Sequence, residues 1–260
     1  MGYENLRLET RDGVAIVTID RPAKLNALDT RTIAELDAAF DALGAHEGVR
    51  GVVLTGAGDK AFVAGADIEE LSRLRAGEGR ALAQRGQRLM DRIERLGKPV
   101  VAAVNGFALG GGCELALACH LRLASENASL GTPEVKLGLM CGYGGTQRLP
   151  RLVGKGRGLE ILLGGERVDA AEALRLGLVN RVVARERLLT EAEALVRKMA
   201  ANGPLALRAT LEAVNDGLER PLPDGLALEA GLFGDLAGSE DAREGTRAFL
   251  EKRPAQFKGR

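Results

Sequence analysis

Val104-Asn105-Gly106-Phe107-Ala108-Leu109-Gly110-Gly111-Gly112-Cys113-Glu114-Leu115 is the stretch that decides how this chain folds. The run leading into it, Pro99 to Val104, is apolar and reads as a buried strand. It breaks into glycines and then turns into an apolar helix carrying one early acid, Glu114. Glycines at such a turn let a ligand approach the backbone closely, and the first N–H groups of the helix have no intrahelical acceptor. Those N–H groups bind an oxygen that gains negative charge during a reaction. A carboxylate beside that cradle supplies the proton chemistry needed next to a carbonyl. The segment points to an enzyme acting on a carbonyl compound.

The bulk properties agree with an ordinary globular enzyme. A chain of 260 residues makes one large domain, or one domain with an appendage, and 45% hydrophobic residues suffice for a substantial core. Lys+Arg and Asp+Glu balance at 36 each, which argues against a general binder of nucleic acid or of membrane surfaces, although a local basic patch stays open. Cys113, Cys119 and Cys141 have no metal-type spacing, and their odd number suggests reduced thiols in a cytoplasmic setting. The start of the chain has no apolar signal core, and no uninterrupted apolar run is long enough for a membrane span. With two histidines, four serines and no G-x-S-x-G, a Ser-His-Asp hydrolase is disfavoured. The absence of H-x-x-H and C-x-x-C speaks against a dedicated zinc site.

Along the chain, Leu6–Thr10 and Val14–Ile19 flank Arg11-Asp12-Gly13 as a hairpin. Asp29 or Thr30 caps a helix with Ile33, Leu36, Phe40 and Leu43 on one face. Gly51–Thr55 reads as a strand, Gly56–Gly65 as a glycine-rich loop, and Asp67 opens a helix to Leu74. A further helix spans Gly79–Leu96 and stops at Gly97-Lys98-Pro99. Leu121–Ala124 and Ser129–Leu130 read as short strands, then Gly131–Glu134 as a turn. Beyond Thr146 the pattern is helical over Gln147–Leu152, Gly156–Leu163, Ala170–Leu176, Arg187–Ala201, Pro204–Gly217, Leu226–Leu236 and Asp241–Lys252, with one strand at Leu178–Val183. The early alternation implies α/β layering, a core over residues 1–200 and a helical C-terminal region over 201–260. That tail has apolar stripes and little partner surface of its own, so it is expected to pack on another subunit.

Three glycine-rich loops, Gly56–Gly65, Gly106–Gly112 and Gly138–Gly145, each follow an apolar strand. None matches a dinucleotide or P-loop fingerprint. In chain order, Phe62-Val63-Ala64-Gly65-Ala66-Asp67-Ile68, Asn105–Leu115, Thr132-Pro133-Glu134 and Gly142-Tyr143-Gly144-Gly145-Thr146-Gln147-Arg148-Leu149 resemble the enoyl-CoA hydratase (crotonase) family. Arg21-Pro22 with Asn26-Ala27-Leu28 and the tail Glu251-Lys252-Arg253 resemble it too. One G-G-G-C-E alone is weak evidence. The ordered set covers essentially the whole chain and is specific.

The resemblance implies a spiral of strand–strand–helix units with a helical C-terminal region used for trimerisation, in trimers or dimers of trimers. It implies an acyl-CoA thioester as substrate, with no metal and no redox cofactor, coenzyme A being part of the substrate. The backbone N–H groups of Ala66 and Gly111 would form an oxyanion hole for the thioester oxygen. Glu114 and Glu134 match the two acids of true hydratases, which favours hydration of a 2-enoyl-CoA to a 3-hydroxyacyl-CoA over isomerisation. Lys24, Leu25, Ala64, Ala66, Asp67, Ile68, Gly111 and Gly142 would contact the substrate, and Lys60 is a further phosphate contact to weigh. Phe249 and Lys252 match positions that reach the coenzyme A of a neighbouring subunit. A Δ3,Δ2-enoyl-CoA isomerase, a hydratase of a branched or aromatic acyl-CoA, and a non-catalytic acyl-CoA-binding or RNA-binding protein are the alternatives.

Each residue also has a plainer reading. Glu114 could be a first-turn acid favoured by the helix dipole, Glu134 an exposed turn acid, Asp67 a helix cap and Lys24 a solvated lysine. Two positions depart from the family pattern. Cys141 stands where many relatives have proline, and His120 where relatives often carry Asp. The first bears on pocket shape and acyl preference, and the second on the helix-to-strand corner. The acyl tunnel is expected from about residues 71–88 and from the C-terminal helices.

Overall fold

The computed structural model describes residues 2–260. The chain opens with a hairpin of β1 (Leu6–Arg11) and β2 (Val14–Ile19). Asp12 and Gly13 join them with φ of 49° and 77°, the left-handed pair of a type I′ turn. Helix α1 (Thr30–Ala45) is capped by Asp29, whose side chain accepts from the Thr32 N–H, and it buries the predicted stripe Ile33, Leu36, Phe40 and Leu43.

Three strand–strand–helix units follow. The first is β3 (Gly51–Gly56), β4 (Ala61–Val63), α2 (Ile68–Ser72) and α3 (Glu78–Glu94). The second is β5 (Val100–Val104), β6 (Phe107–Leu109) and α4 (Gly111–Ala118). The third is β7 (Leu121–Ser125), β8 (Ser129–Gly131), a 3₁₀ turn at Pro133–Leu137, α5 (Gly145–Val153) and α6 (Lys155–Gly164). The first strand of every unit enters one sheet and the second strand another. With β9 (Arg167–Asp169) and β10 (Arg181–Val183), the sheets run β1-β2-β3-β5-β7-β10 and β4-β6-β8-β9. Neighbours β3, β5 and β7 are parallel, as are β4, β6 and β8. Each unit therefore adds one rung to both sheets, the spiral the sequence implied.

The larger sheet is covered on both faces, which is why β5 reads as an unbroken apolar run. Val52, Leu54, Val100, Ala102 and Val104 pack with α1, α3 and α4, while Val53, Val101, Ala103 and Leu123 pack with Leu188, Ala192 and Val196 of α8 (Leu188–Ala200). Polar ties join the units. Asn26, fully buried, donates to the carbonyls of Ala57 and Ala61 at 2.9 and 2.8 Å. Asn105 donates to those of Gly56 and Gly58 at 2.9 and 3.0 Å. Helix α7 (Ala170–Arg175) extends the core beyond the repeated units by burying Ala170 and Ala173.

Several boundaries correct the sequence reading. Gly56–Gly65 and Gly106–Gly112 are not loops throughout, since they hold β4 and β6, and β9 has no counterpart in that reading. Strands of three residues are too short to show a period. Helix α2 ends at Ser72 rather than Leu74, and the strand expected at Leu178–Val183 is limited to β10. The last three helices are α9 (Pro204–Gly217), α10 (Leu222–Ala237) and α11 (Glu240–Leu250). Helix α10 starts four residues before the expected Leu226, with proline in its first turn. No residue of α9 or α10 is buried.

Gly112 shows how tightly the second unit closes on the first. A Cβ there would lie 2.0 Å from the Val63 carbonyl oxygen, a backbone atom that has nowhere to move. Gly112→Ala is expected to destabilise the fold by about 1–3 kcal/mol through overpacking, read as a lower midpoint in urea unfolding with an unchanged slope.

Candidate active site

The residues of the two glycine turns meet at the ends of β4 and β6. Leu25–Leu28 runs beside Ala64–Asp67. The Ala64 N–H donates to the Leu25 carbonyl at 3.0 Å, the Leu28 N–H to Gly65 at 2.8 Å, and the Asp67 N–H to Leu28 at 2.9 Å. Gly65 and Asp67 thus face Leu28, and alternation turns the Ala66 N–H to the opposite side. Gly111 opens α4, so its N–H has no intrahelical acceptor. Among the described residues neither amide has a protein acceptor, and a Cβ on Gly111 would lie 3.6 Å from the Ala66 nitrogen. Both residues line one cavity of about 220 Å³.

Glu114 and Glu134 line the same cavity. Glu114, only 2% exposed, is held through Oε1 by the N–H groups of Tyr143 at 2.8 Å and Gly145 at 2.7 Å. Glu134 sits at the start of the 3₁₀ turn after β8, and its Oε2 is buried with no partner among the described residues. Gly110, with φ of 50°, lets it in: a Cβ at 110 would stand 2.8 Å from Glu134 Oε1. Carboxylate oxygens of the two acids and the Sγ of Cys141 all lie within 4.8 Å of one another. Burial pushes Glu114 up to about 7; the Gly145 and Tyr143 N–H groups pull it down, and Glu134 adds to the rise. Burial raises Glu134 as well. Burial thus favours the protonated form of both acids, and two carboxyl groups this close titrate as a coupled pair.

The wall opposite is apolar: Ile68, Leu71, Leu74, Leu82, Leu139 and Met140. Leu71, Leu74 and Leu82 come from the segment expected to shape the acyl tunnel, and Ile68 extends it by three residues. The C-terminal helices do not line the cavity, which corrects the other half of that expectation. Sequence reasoning also missed Tyr143, whose buried ring lies against Gly86 and Gly111 and forms part of this wall. Its position inside G-Y-G-G gave a signal only for the backbone.

Of the other predicted contacts, Ala64, Ile68 and Gly142 line the cavity and the rest lie elsewhere. Gly142 lines the cavity beside Tyr143, and its carbonyl accepts from Gln87 at 2.9 Å. Asp67 does not reach the cavity, because its carboxylate caps α2 at the Glu69 N–H and pairs with Arg21 at 3.4 Å. Lys24 is exposed and paired with Glu69 at 2.9 Å, and Leu25 contributes its carbonyl while its side chain faces outward. Lys60 is exposed and gives its carbonyl to the Phe107 N–H. Phe249, 84% exposed, and Lys252, with φ of 54°, stand on the α11 end and do not line this cavity. His120 ties the corner between α4 and β7 to β5 and the end of α3, accepting from the Val100 N–H at Nδ1 and meeting the Glu94 carbonyl at Nε2, both at 2.9 Å.

The sequence profile described as enoyl-CoA hydratase/isomerase matches residues 9–260. The chain is 46% identical to a crotonyl-CoA hydratase of Syntrophomonas wolfei over 99% of both chains, and 45% identical to a short-chain-enoyl-CoA hydratase of Clostridium acetobutylicum over 100% of both. Its fold superposes on the crystal structure of an enoyl-CoA hydratase from Bacillus anthracis with a TM-score of 0.96 at 39% identity, covering 99% of this chain and 100% of that one. The chain belongs to the enoyl-CoA hydratase/isomerase family.

Proposed function

We propose that this enzyme adds water reversibly to a 2-trans-enoyl-CoA, giving a 3-hydroxyacyl-CoA. The observation that carries the reading is the convergence of two acceptor-free amides and two acids on one cavity. Water adds to carbon 3 only if negative charge accumulates on the thioester oxygen. The Ala66 and Gly111 N–H groups would hold that oxygen, each donor worth about 3–4 kcal/mol by analogy with other oxyanion holes. Glu114, kept in place by two N–H donors, orients and deprotonates the water, while Glu134 delivers a proton to carbon 2. Both acids act from one side, which gives syn addition. The one proton the pair holds near neutral pH is the one the reaction requires, so all proton steps fall to protein groups and no metal is invoked.

The names of the 45–46% identical relatives, together with the small apolar cavity, favour a four-carbon acyl group. Lys24, close to the Ala64–Ala66 turn, would leave its exposed partner Glu69 for a phosphate of coenzyme A. Self-association would bring Phe249 and Lys252 of one subunit to the coenzyme A of another. The exposed apolar residues Leu218, Leu222, Leu226 and Phe233 on the C-terminal helices support such packing.

Glu114→Gln and Glu134→Gln are each expected to cut kcat on crotonyl-CoA by about 10²–10⁴, followed at the enoyl absorbance. Wild-type turnover in either variant would overturn the assigned roles, and conversion of a 3-enoyl-CoA without hydration would favour an isomerase. The fold is expected to persist in these variants, and stability itself reports on Glu114. Its folded pKa of about 7 exceeds the ordinary value of 4.5, so folding binds the proton more tightly and stability falls as pH rises between those values. Wild type is expected to lose about 3 kcal/mol over that interval, and Glu114→Gln much less, in urea unfolding at a series of pH values. Light scattering is expected to give a mass that is a multiple of three chains of 27.4 kDa, and Phe233→Asp to lower it.

A further inference from the structure

Cys141 lies between the two acids, and the mechanism above gives it no task. Its side chain is 5% exposed, and its Sγ lies within 4.8 Å of a carboxylate oxygen of both Glu114 and Glu134. Packing holds it there. A Cβ on Gly145 would stand 2.9 Å from Cys141 Sγ and 3.0 Å from Glu114 Cγ, so the missing side chain at 145 is what lets thiol and acid lie together. The two acids are unequally served. Glu114 Oε1 accepts two backbone N–H groups, whereas Glu134 Oε2 is buried with no partner among the described residues.

Once the acid pair has given up its proton, both carboxylates only accept hydrogen bonds, and the S–H is the donor left within this trio. The thiol stays protonated to donate. Burial raises it far above the usual thiol range, and Glu114, Glu134 and Cys113 each add to that. The titratable groups facing it are Glu114 and Cys113 from α4 and Glu134 from the 3₁₀ turn, while Arg148 of α5 acts on Glu114 from farther out. A thiol so disfavoured as thiolate is no nucleophile.

We propose that Cys141 is a positioning residue of the acid pair: its S–H turns to the Glu134 carboxylate, favours the ionised form of that acid, and sets the pH at which the shared proton leaves. The effect on turnover rests on the hydratase reading; the contact itself does not.

The test uses the full chain as wild type, Cys141→Ala and Cys141→Ser. Two readouts run in parallel. One is kcat/KM on crotonyl-CoA against pH. The other is a ¹³C NMR titration of the glutamate carboxyl carbons in the resting protein, with signals assigned from Glu114→Gln and Glu134→Gln. Removing a donor disfavours the carboxylate, so its proton leaves at higher pH. Cys141→Ala is expected to move both the Glu134 titration and the activity profile up by about half a pH unit to one unit. Cys141→Ser keeps a donor and is expected to stay at or below wild type. Superimposable titrations of wild type and Cys141→Ala would overturn the proposal. So would equal shifts in the Ala and Ser variants, because side-chain volume would then be the cause. A titration shift in a protein that turns over no enoyl-CoA would leave the contact standing and sink the hydratase reading. Turnover with no shift would do the reverse.

Discussion

The structure turns on a carboxylate, Glu114, placed in an apolar interior and held by two backbone N–H groups from a glycine turn about thirty residues on. An isolated buried charge is expensive, and two N–H donors do not fully offset the desolvation. The balance leaves the acid able to gain or lose a proton near neutrality. The same two hydrogen bonds fasten the Gly142–Gly145 turn, and hence α5, onto α4. Chemistry and architecture therefore share one contact.

Around that contact, close approach of backbone is the recurring device. Gly112 sits on the Val63 carbonyl, Gly110 on the Glu134 carboxylate, and Gly145 on Cys141 and Glu114. Each is a place where a methyl group would push a unit of the spiral away from its neighbour. The far end of α4 is finished by a buried cation. Arg122 donates to the carbonyls of Cys119, Ala116 and Leu178 at 2.6, 3.3 and 2.9 Å. Carbonyls at a helix C-terminus carry negative partial charge, so they serve as its counter-charge.

Much of this was legible in the chain. The hairpin, α1, the apolar strands and most helices follow from period and caps, and the ordered glycine motifs locate the amides of Ala66 and Gly111 and both acids. Strands β4, β6 and β9 were not legible, because three residues are too few to show a period. Asp67 shows a different limit: its motif position is right, yet its carboxylate goes to a cap and to Arg21. Tyr143 and Cys141 were opaque for a third reason. What their side chains touch depends on segments far away in sequence, so the spacing fixes only their backbone. Phe249 and Lys252 stand at the C-terminal end of α11, outside this chain's cavity.

The apolar wall is drawn largely from α2, α3 and the short stretch joining them, while the amides and acids hang on strand ends and on α4. Tethers to the sheets hold the second group, while apolar packing holds the first, with Leu82 in the core. Appetite and chemistry thus occupy separable lengths of chain. Under the proposed reaction, evolution or a protein engineer can rewrite residues 68–83 to admit a different tail and leave the proton-handling parts as they were inherited.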